Sequence, residues 1–131
     1  MIPVFSQKDA FALDKFTISS NHLSEEQLLD NAGKCIAQFI LENIQNPFNQ
    51  NFIVIAGPGN NGGDAIICHY YLNLYGVSTK LLLFTKQQKQ HWIFNQYEID
   101  DNSIEYFTNK YNFDPQTWYV DGIFGIGLKR D

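Results

Sequence analysis

The sequence lacks several features that would place it in another class of protein. Its net charge of −5 comes without a basic stripe, so no nucleic-acid interface is expected. No apolar run approaches the roughly 20 residues that a membrane helix needs, and the first residues lack a signal-peptide pattern. The two cysteines, Cys35 and Cys68, form no close-spaced metal or redox motif. We therefore expect a reduced, cytoplasmic protein that contacts neither nucleic acid nor membrane.

What the sequence does contain is a strand, a glycine-rich turn and a helix in immediate succession. Residues 52–56 are apolar without alternation, which predicts a strand buried on both faces. Four of the nine glycines follow within residues 57–63, and a helical pattern opens at Asp64. The N–H groups of such a turn and the positive end of the helix dipole make an anion-binding site.

The patterns around the turn predict one α/β domain of 131 residues. Ser24 to Gln27 forms a capping box before an amphipathic helix that Pro47 ends, and Gly33 inside this helix suggests close approach of another backbone. The strand, turn, helix and next strand make a βαβ unit, which implies a parallel sheet. The remaining predicted segments are strands at 79–84, 104–107 and 117–120, a surface helix at 86–98, and a short helix at 6–15.

A second glycine-rich segment, residues 122–128, follows Asp121 at the end of the last predicted strand. Ligands of open α/β sheets bind outside the carboxyl ends of the strands, so we expect the two glycine segments to face one another across a cleft. If Asp121 faces Asn61, carboxylate, amide and carbonyl oxygens would suit a hard cation. Simpler interpretations stay open: Asn60 and Asn61 as turn residues, and Asp121 as a cap at the loop start.

The glycine turn departs from two common nucleotide-binding motifs. Gly57-x-Gly59-x-x-Gly62 has the dinucleotide-binding spacing, between a strand and a helix. A Rossmann dehydrogenase also carries an acid about 20 residues further on that binds the ribose, but here the second strand ends in Phe84-Thr85-Lys86-Gln87. No Gly-Lys-Ser/Thr follows the turn, so a P-loop is excluded. A conventional dehydrogenase is therefore disfavoured.

Three segments, in this order, resemble motifs of the NAD(P)H-hydrate epimerases, the YjeF N-terminal domain family. They are Leu28-Leu29-Asp30-Asn31-Ala32-Gly33, residues 57–64 and residues 121–128. The resemblance implies a Rossmann-like three-layer α/β/α sandwich with a mainly parallel sheet. It also implies an isomerase of cofactor repair, which interconverts the R and S hydrates of NADH and NADPH (NADHX and NADPHX). A partner NAD(P)H-hydrate dehydratase then converts the S form back to the cofactor.

The resemblance also assigns roles to residues of both glycine segments. It implies that Asn61 and Asp121 bind a potassium ion. The residues that it implies in hydrate binding are Asn60, Asn61, Gly62, Gly63, Asp64, Gly125, Ile126, Gly127, Leu128, Lys129, Arg130 and Asp131. Inverting the carbon that bears the hydroxyl group needs an acid or base and stabilisation of a transient charge. A direct acid–base role for Asp121 is one interpretation, and metal coordination by the same carboxylate is the other.

Two departures from the family pattern qualify these expectations. Ala65 stands where the family usually has glycine, so we expect a slightly tighter pocket. The family domain continues past the second motif with further strands, another substrate-binding Asp and a Ser or Thr potassium ligand. We therefore expect residues 1–131 to be the N-terminal portion of a YjeF N-terminal-like domain, weakly active or inactive alone, and a homodimer when complete. A non-catalytic nucleotide-binding or protein-interaction scaffold is the alternative.

Overall fold

The computed structural model describes residues 24–58, 61–123 and 127–130, which form a five-stranded sheet with helices packed on it. The strand order is β3-β2-β1-β4-β5; the first four strands in this order run parallel, and β5 is antiparallel to β4. The strands are β1 Asn51–Ala56, β2 Thr79–Leu83, β3 Ile104–Tyr106, β4 Thr117–Gly122 and β5 Gly127–Arg130. The predicted mainly parallel, Rossmann-like α/β fold is confirmed. The helix predicted at 6–15 lies outside the described residues.

Within the described residues, three α-helices and three short 3-10 turns accompany these strands. Helix α1 starts at the predicted capping box, since Ser24 Oγ accepts from the Gln27 N–H and Gln27 Oε1 accepts from the Ser24 N–H. In the part of the chain that is described, no helix is both long and apolar enough to cross a membrane. The helices are α1 Glu25–Asn43, α2 Asn61–Leu74 and α3 Ile93–Gln96, and the 3-10 turns are Pro47–Asn49, Lys86–Gln90 and Asp101–Ser103.

Helix α1 packs directly on α2 through Gly33. A Cβ atom at Gly33 would lie 2.5 Å from Ile67 Cγ2 and 3.0 Å from the backbone nitrogen of Cys68. Any larger residue there would force the helices apart, because real Cβ contacts are not this short. The close backbone approach predicted from Gly33 is thus confirmed.

The side chains of β1 alternate between two apolar clusters. Phe52, Val54 and Ala56 pack under the helices with side chains of β2 and β4. Ile55 lies on the opposite face, where it packs with Leu82 and Tyr119. Burial on both faces explains why the sequence of β1 shows no polar alternation.

Residues 86–98 do not form the single surface helix that the sequence analysis predicted. A 3-10 turn, Lys86–Gln90, ends where His91 adopts an extended backbone with ψ 143°, and the four-residue helix α3 follows. Ile93 at the start of α3 is fully buried in the core, so the chain turns inward there. The break lets the segment bend over the carboxyl end of β2.

The boundaries of the two glycine segments also differ from prediction. Helix α2 begins at Asn61 and not at Asp64, so Gly62 and Gly63 belong to its first turn. Strand β4 continues through Asp121 to Gly122, and Gly127 and Leu128 lie in β5 and not in a loop. Antiparallel pairing joins Asp121 to Gly127 and Val120 to Leu128, so the end of the second glycine segment is held by β4.

Candidate functional site

The two glycine segments meet where β1 and β4 end. The Gly57 N–H donates to the Gly122 carbonyl oxygen at 3.1 Å. A Cβ atom at Gly57 would lie 3.0 Å from Ile123 Cα, so a larger residue would have to push the two backbone segments slightly apart. The two glycine segments, which we expected to face one another, are therefore in direct contact at Gly57 and Gly122.

Gly62 brings the N-terminus of α2 against the same turn. A Cβ atom at Gly62 would lie 2.1 Å from the Gly57 carbonyl oxygen, a distance that no side chain allows. The first N–H groups of a helix have no intrahelical partners, and the helix dipole adds partial positive charge there. The 14-residue helix α2 thus presents an anion-binding end at the glycine turn.

Asp64 and Cys68 lie one helical turn apart behind this end. The carboxylate of Asp64 lies in the first turn of α2, where the dipole stabilises a negative charge, and its Oδ1 is buried. Burial, and secondarily the charge of Asp64, raises the pKa of the fully buried Cys68 thiol. The thiol is therefore neutral at physiological pH and is unsuited to act as a nucleophile.

A cleft of about 350 Å³ opens beside the glycine turn. One side is formed by the turn and α2, and the other by the segment that follows β2. The lining residues are Gly57, Pro58, Gly62, Gly63, Ile66, Thr85, Gln87, Gln88 and His91. Such a cleft at the carboxyl ends of two adjacent parallel strands is the usual ligand position in open α/β sheets.

Gln88 joins the ends of β1 and β2 at the base of this cleft. Its Nε2 donates to the Ala56 carbonyl oxygen at 3.0 Å. Its Oε1 accepts from the N–H groups of Phe84 at 2.7 Å and Thr85 at 2.9 Å. Thr85 and Gln88 also complete a capping box at the start of the 3-10 turn.

Asp121 lies on β4 beside the glycine turn. It pairs with Ile55 of β1 and with Gly127 of β5. Its Oδ1 accepts from the N–H of Ile123 at 3.0 Å, so this half-buried carboxylate caps the start of the second glycine segment. The simpler interpretation of Asp121 is thus confirmed, while its metal and acid–base roles stay predictions.

The structure places the described members of the predicted site in three elements. Asn61, Gly62, Gly63 and Asp64 form the first turn of α2, Asp121 lies on β4, and residues 127–130 form β5. Asn60, Gly125, Ile126 and Asp131 lie outside the described residues. Among the described residues, no three His, Cys, Asp or Glu side chains cluster as metal ligands would.

Sequence reasoning missed the wall of the cleft that follows β2. Thr85, Gln87, Gln88 and His91 line it. Two signals point there: the spacing of Thr85 and Gln88, which is that of a capping box, and the carboxyl end of a strand adjacent to the glycine turn. The sequence shows that this segment lacks the ribose-binding acid of a dehydrogenase. It does not show that the Gln88 side chain joins the ends of β1 and β2 there.

The central strand, glycine turn and helix N-terminus define a Rossmann-like α/β protein with its ligand cleft at the carboxyl edge of the sheet. The particular family follows from comparison with known proteins. The chain belongs to the family described as YjeF-related protein N-terminus, which matches residues 25–131.

Curated relatives and a solved structure match nearly the whole chain. An NAD(P)H-hydrate epimerase of Entamoeba histolytica is 28% identical over 127 residues, which are 95% of this chain and 56% of the relative. An NAD(P)H-hydrate epimerase of Oenococcus oeni is 33% identical over 129 residues, which are 96% of this chain and 60% of the relative. The crystal structure of yeast ynu0 superimposes with a TM-score of 0.57 at 26% identity, covering 95% of this chain and 57% of that chain. The chain thus spans somewhat over half the length of these proteins.

Proposed function

We propose that the protein containing this chain is an NAD(P)H-hydrate epimerase that interconverts the R and S forms of NADHX and NADPHX. Its family membership and the activity named for its relatives support this function. The observation that carries the proposal is the hydrogen bond from Gly57 to Gly122, which holds the anion-binding turn beside the strand that bears Asp121.

In this proposal, the N-terminus of α2 binds the diphosphate of the hydrated cofactor. The unpaired N–H groups of its first turn supply the donors, and the helix dipole favours the negative charge. The residues proposed to contact the hydrate are those of the two glycine segments, namely Asn60 to Asp64 and Gly125 to Asp131. Neither cysteine is required as a nucleophile, which agrees with the raised pKa of Cys68.

We also propose a potassium ion between Asn61 and Asp121. The donor chemistry fits such an ion, because carboxylate, amide and carbonyl oxygens are ligands for hard cations. Asp121 Oδ1 is already oriented by the Ile123 N–H, so the carboxylate is positioned before any ligand binds. When bound, the ion would offset negative charge of the substrate and fix the two glycine segments together.

Asp121 is also our candidate acid–base residue for the inversion. The carbon that bears the hydroxyl group inverts if that group leaves and returns, or if the ring opens and closes. Either route needs proton transfer at the departing or returning oxygen. The same carboxylate cannot serve fully as metal ligand and as proton carrier, so these roles compete.

The partner in this proposal is an NAD(P)H-hydrate dehydratase, which consumes the S hydrate that the epimerase forms. Cys35 and Cys68 form no disulfide bond, which suits the reducing cytoplasm as the place of action. We expect the complete protein to be a homodimer. Its oligomeric state can be measured by light scattering.

A coupled assay tests this function. The R hydrate is mixed with an S-specific dehydratase, and cofactor recovery is followed with and without the protein. We expect faster, complete recovery with the protein.

The variant Asp121→Asn tests the acid–base role. It keeps an oxygen for the cap and removes the charge, and should lower kcat about 100-fold or more. Asp114→Asn is a matched control, because Asp114 also accepts from the N–H two residues later.

If the unaltered protein does not accelerate cofactor recovery, the proposed function is contradicted. If a separate binding measurement then shows that the protein binds the hydrate without turnover, the scaffold alternative is favoured. If Asp121→Asn retains full turnover, Asp121 carries no proton in the reaction.

A further inference from the structure

We infer that residues 85–91 form a ligand-binding wall of the cleft, in which Gln88 positions the glycine turn and His91 donates a hydrogen bond to a nucleotide phosphate. The nucleotide nature of the ligand rests on the proposed function. Residues 85–91 are here called the β2 wall. Their contacts, unlike the nature of the ligand, are given directly by the described residues.

Gln88 continues the strand pairing at the point where the backbone ladder stops. The last pair of the parallel ladder between β1 and β2 joins Ala56 and Leu83. Beyond it, the Gln88 amide takes over, with a bond to the Ala56 carbonyl oxygen on one side and to the Phe84 and Thr85 N–H groups on the other. The end of β1 is therefore held by a side chain.

The position of Ala56 determines where the anion-binding turn lies. Gly57 follows Ala56 directly. The Gly57 carbonyl oxygen lies 2.1 Å from the position that a Cβ atom at Gly62 would occupy. Because this contact has no slack, a shift of the Ala56 peptide moves the N-terminus of α2 relative to the turn. Gln88 is thus a positioning residue, which acts on the ligand through the backbone.

Gln88 also occupies the region where a dehydrogenase of this fold carries its ribose-binding acid. Two backbone N–H groups occupy its Oε1, and the Ala56 carbonyl oxygen takes one of its two N–H donors, so most of its amide serves the fold. The other polar side chains that line the cleft from the β2 wall are those of Thr85, Gln87 and His91.

His91 lines the cleft and has a ring nitrogen for a polar contact with a ligand. Its Nδ1 accepts from the Ile93 N–H at 3.3 Å, which leaves Nε2 as the ring nitrogen that carries a proton and can donate it. The ring packs against Trp92 with 5.5 Å between centroids, and Ile93 is anchored in the core. His91 lines the same cleft as Gly62 and Gly63, which belong to the helix end that would hold a phosphate.

Binding of ADP to the 131-residue chain, measured by titration calorimetry, tests the inference. Gln88→Glu keeps the acceptor oxygen for Phe84 and Thr85 but removes the donor to Ala56, and His91→Phe removes the Nε2 donor. We expect each variant to bind ADP about five- to tenfold more weakly, the usual effect of losing one hydrogen bond. His91→Gln restores a donor and should recover most of the affinity.

Gln90→Glu is the matched control for the added charge. Gln90 lies in the same 3-10 turn, is exposed, and does not line the cleft. Its variant should bind ADP within about twofold of the unaltered chain, as exposed substitutions usually do. Equal losses in Gln88→Glu and Gln90→Glu would assign the effect to charge and overturn the positioning role.

Two further readouts separate positioning from loss of fold. Nuclear magnetic resonance of the free chain should show shifted amide signals of Gly57 and Gly62 in Gln88→Glu, but unchanged ones in His91→Phe. In the epimerase assay, both variants should raise KM more than they lower kcat.

The inference is overturned if ADP binds with unchanged affinity to both variants, or if the unaltered chain does not bind ADP. The epimerase assay with the R hydrate is run in parallel and decides separately on the proposed function. If the protein is an active epimerase and its KM is the same in the Gln88 and His91 variants, the proposed function stands. The β2 wall then takes no part in substrate binding.

Discussion

At the scale of single residues, Gly62 is the tightest point of the site. Its Cβ position is 2.1 Å from the Gly57 carbonyl oxygen, whereas that of the neighbouring Gly63 meets only the flexible ends of Ile93 and Leu29, at 3.3 Å or more. Two adjacent glycines in one helical turn therefore have different reasons to be glycine.

The substitution Gly62→Ala should lower the free energy of unfolding by about 1–3 kcal/mol, as overpacking does, and weaken ADP binding. Gly63→Ala should cost less, because side-chain ends can move and alanine gains about 1 kcal/mol in helix propensity. Urea denaturation of both variants measures the difference. Equal free energies of unfolding for Gly62→Ala and Gly63→Ala would show that the turn accommodates a Cβ atom at Gly62 without strain.

His69 is a second residue whose environment only the structure defines. It belongs to none of the sequence motifs described above, and the structure buries it completely. Its Nε2 lies 3.2 Å from Ser103 Oγ and 3.3 Å from Asn73 Nδ2, and its Nδ1 lies 3.5 Å from Thr79 Oγ1. Burial, and then the charge of Lys80, lowers its pKa to about 4.

This lowered pKa predicts a pH-dependent stability. Between pH 4 and pH 6.5 the unfolded chain binds a proton at His69 that the folded chain does not, so stability rises with pH over this range. From this residue alone, we expect about 2 kcal/mol more stability at pH 7 than at pH 5. Urea denaturation of the unaltered chain and of His69→Gln at both pH values measures it. The same pH dependence in both chains would contradict the assignment.

At the scale of elements, Asp30 joins three helices. The hydroxyl groups of Tyr71 on α2 and of Tyr97 beside α3 both donate to Oδ1 of Asp30 on α1, with Tyr71 at 2.6 Å. Burial first, and then this hydrogen bond, raises the pKa of both tyrosines. Asp30 belongs to the first segment that resembles the epimerase family, which here serves helix packing together with Gly33.

Asp30→Asn should loosen this junction. We expect the free energy of unfolding to fall by about 1–3 kcal/mol, because the buried Tyr97 hydroxyl and the half-buried Tyr71 hydroxyl lose their charged acceptor. The pKa of Tyr71 and of Tyr97 should fall toward the ordinary value, which an ultraviolet pH titration measures. Glu42→Gln, at an exposed position of the same helix, is the control and should change stability by less than about 0.5 kcal/mol. A control-sized effect of Asp30→Asn would show that the junction is not stabilising.

At the scale of the whole molecule, the proposed potassium ion would link the start of α2, at Asn61, to the end of β4, at Asp121. An ion that binds only the folded chain stabilises it by about 1.4 kcal/mol at ten times its dissociation constant. We expect KCl to raise the unfolding temperature more than tetramethylammonium chloride at equal concentration, and Asp121→Asn to abolish the difference. Equal unfolding temperatures in both salts would remove potassium from the site.

Much of the central part of the molecule could be predicted from local patterns. The capping box at Ser24 marked the start of α1, the run of apolar residues marked β1, and Gly33 marked a helix contact. Each of these signals lies within a few neighbouring residues, so local sterics and hydrogen bonding suffice to interpret it. The segment 86–98 was misjudged because the burial of Ile93 and the bonds of Gln88 depend on distant strands.

Local sequence was enough to identify the buried strand and the glycine-rich segment that follows it, since both signals lie in adjacent residues, although the helix begins three residues earlier than predicted. The residues that line the cleft together with this segment could be identified only from the folded structure. Gln88 reaches Ala56 across 32 residues, and His91 enters the cleft only because β2 lies beside β1 in the sheet. The physical reason is that strand order, unlike turn geometry, results from the packing of the whole core and is not encoded in any short segment.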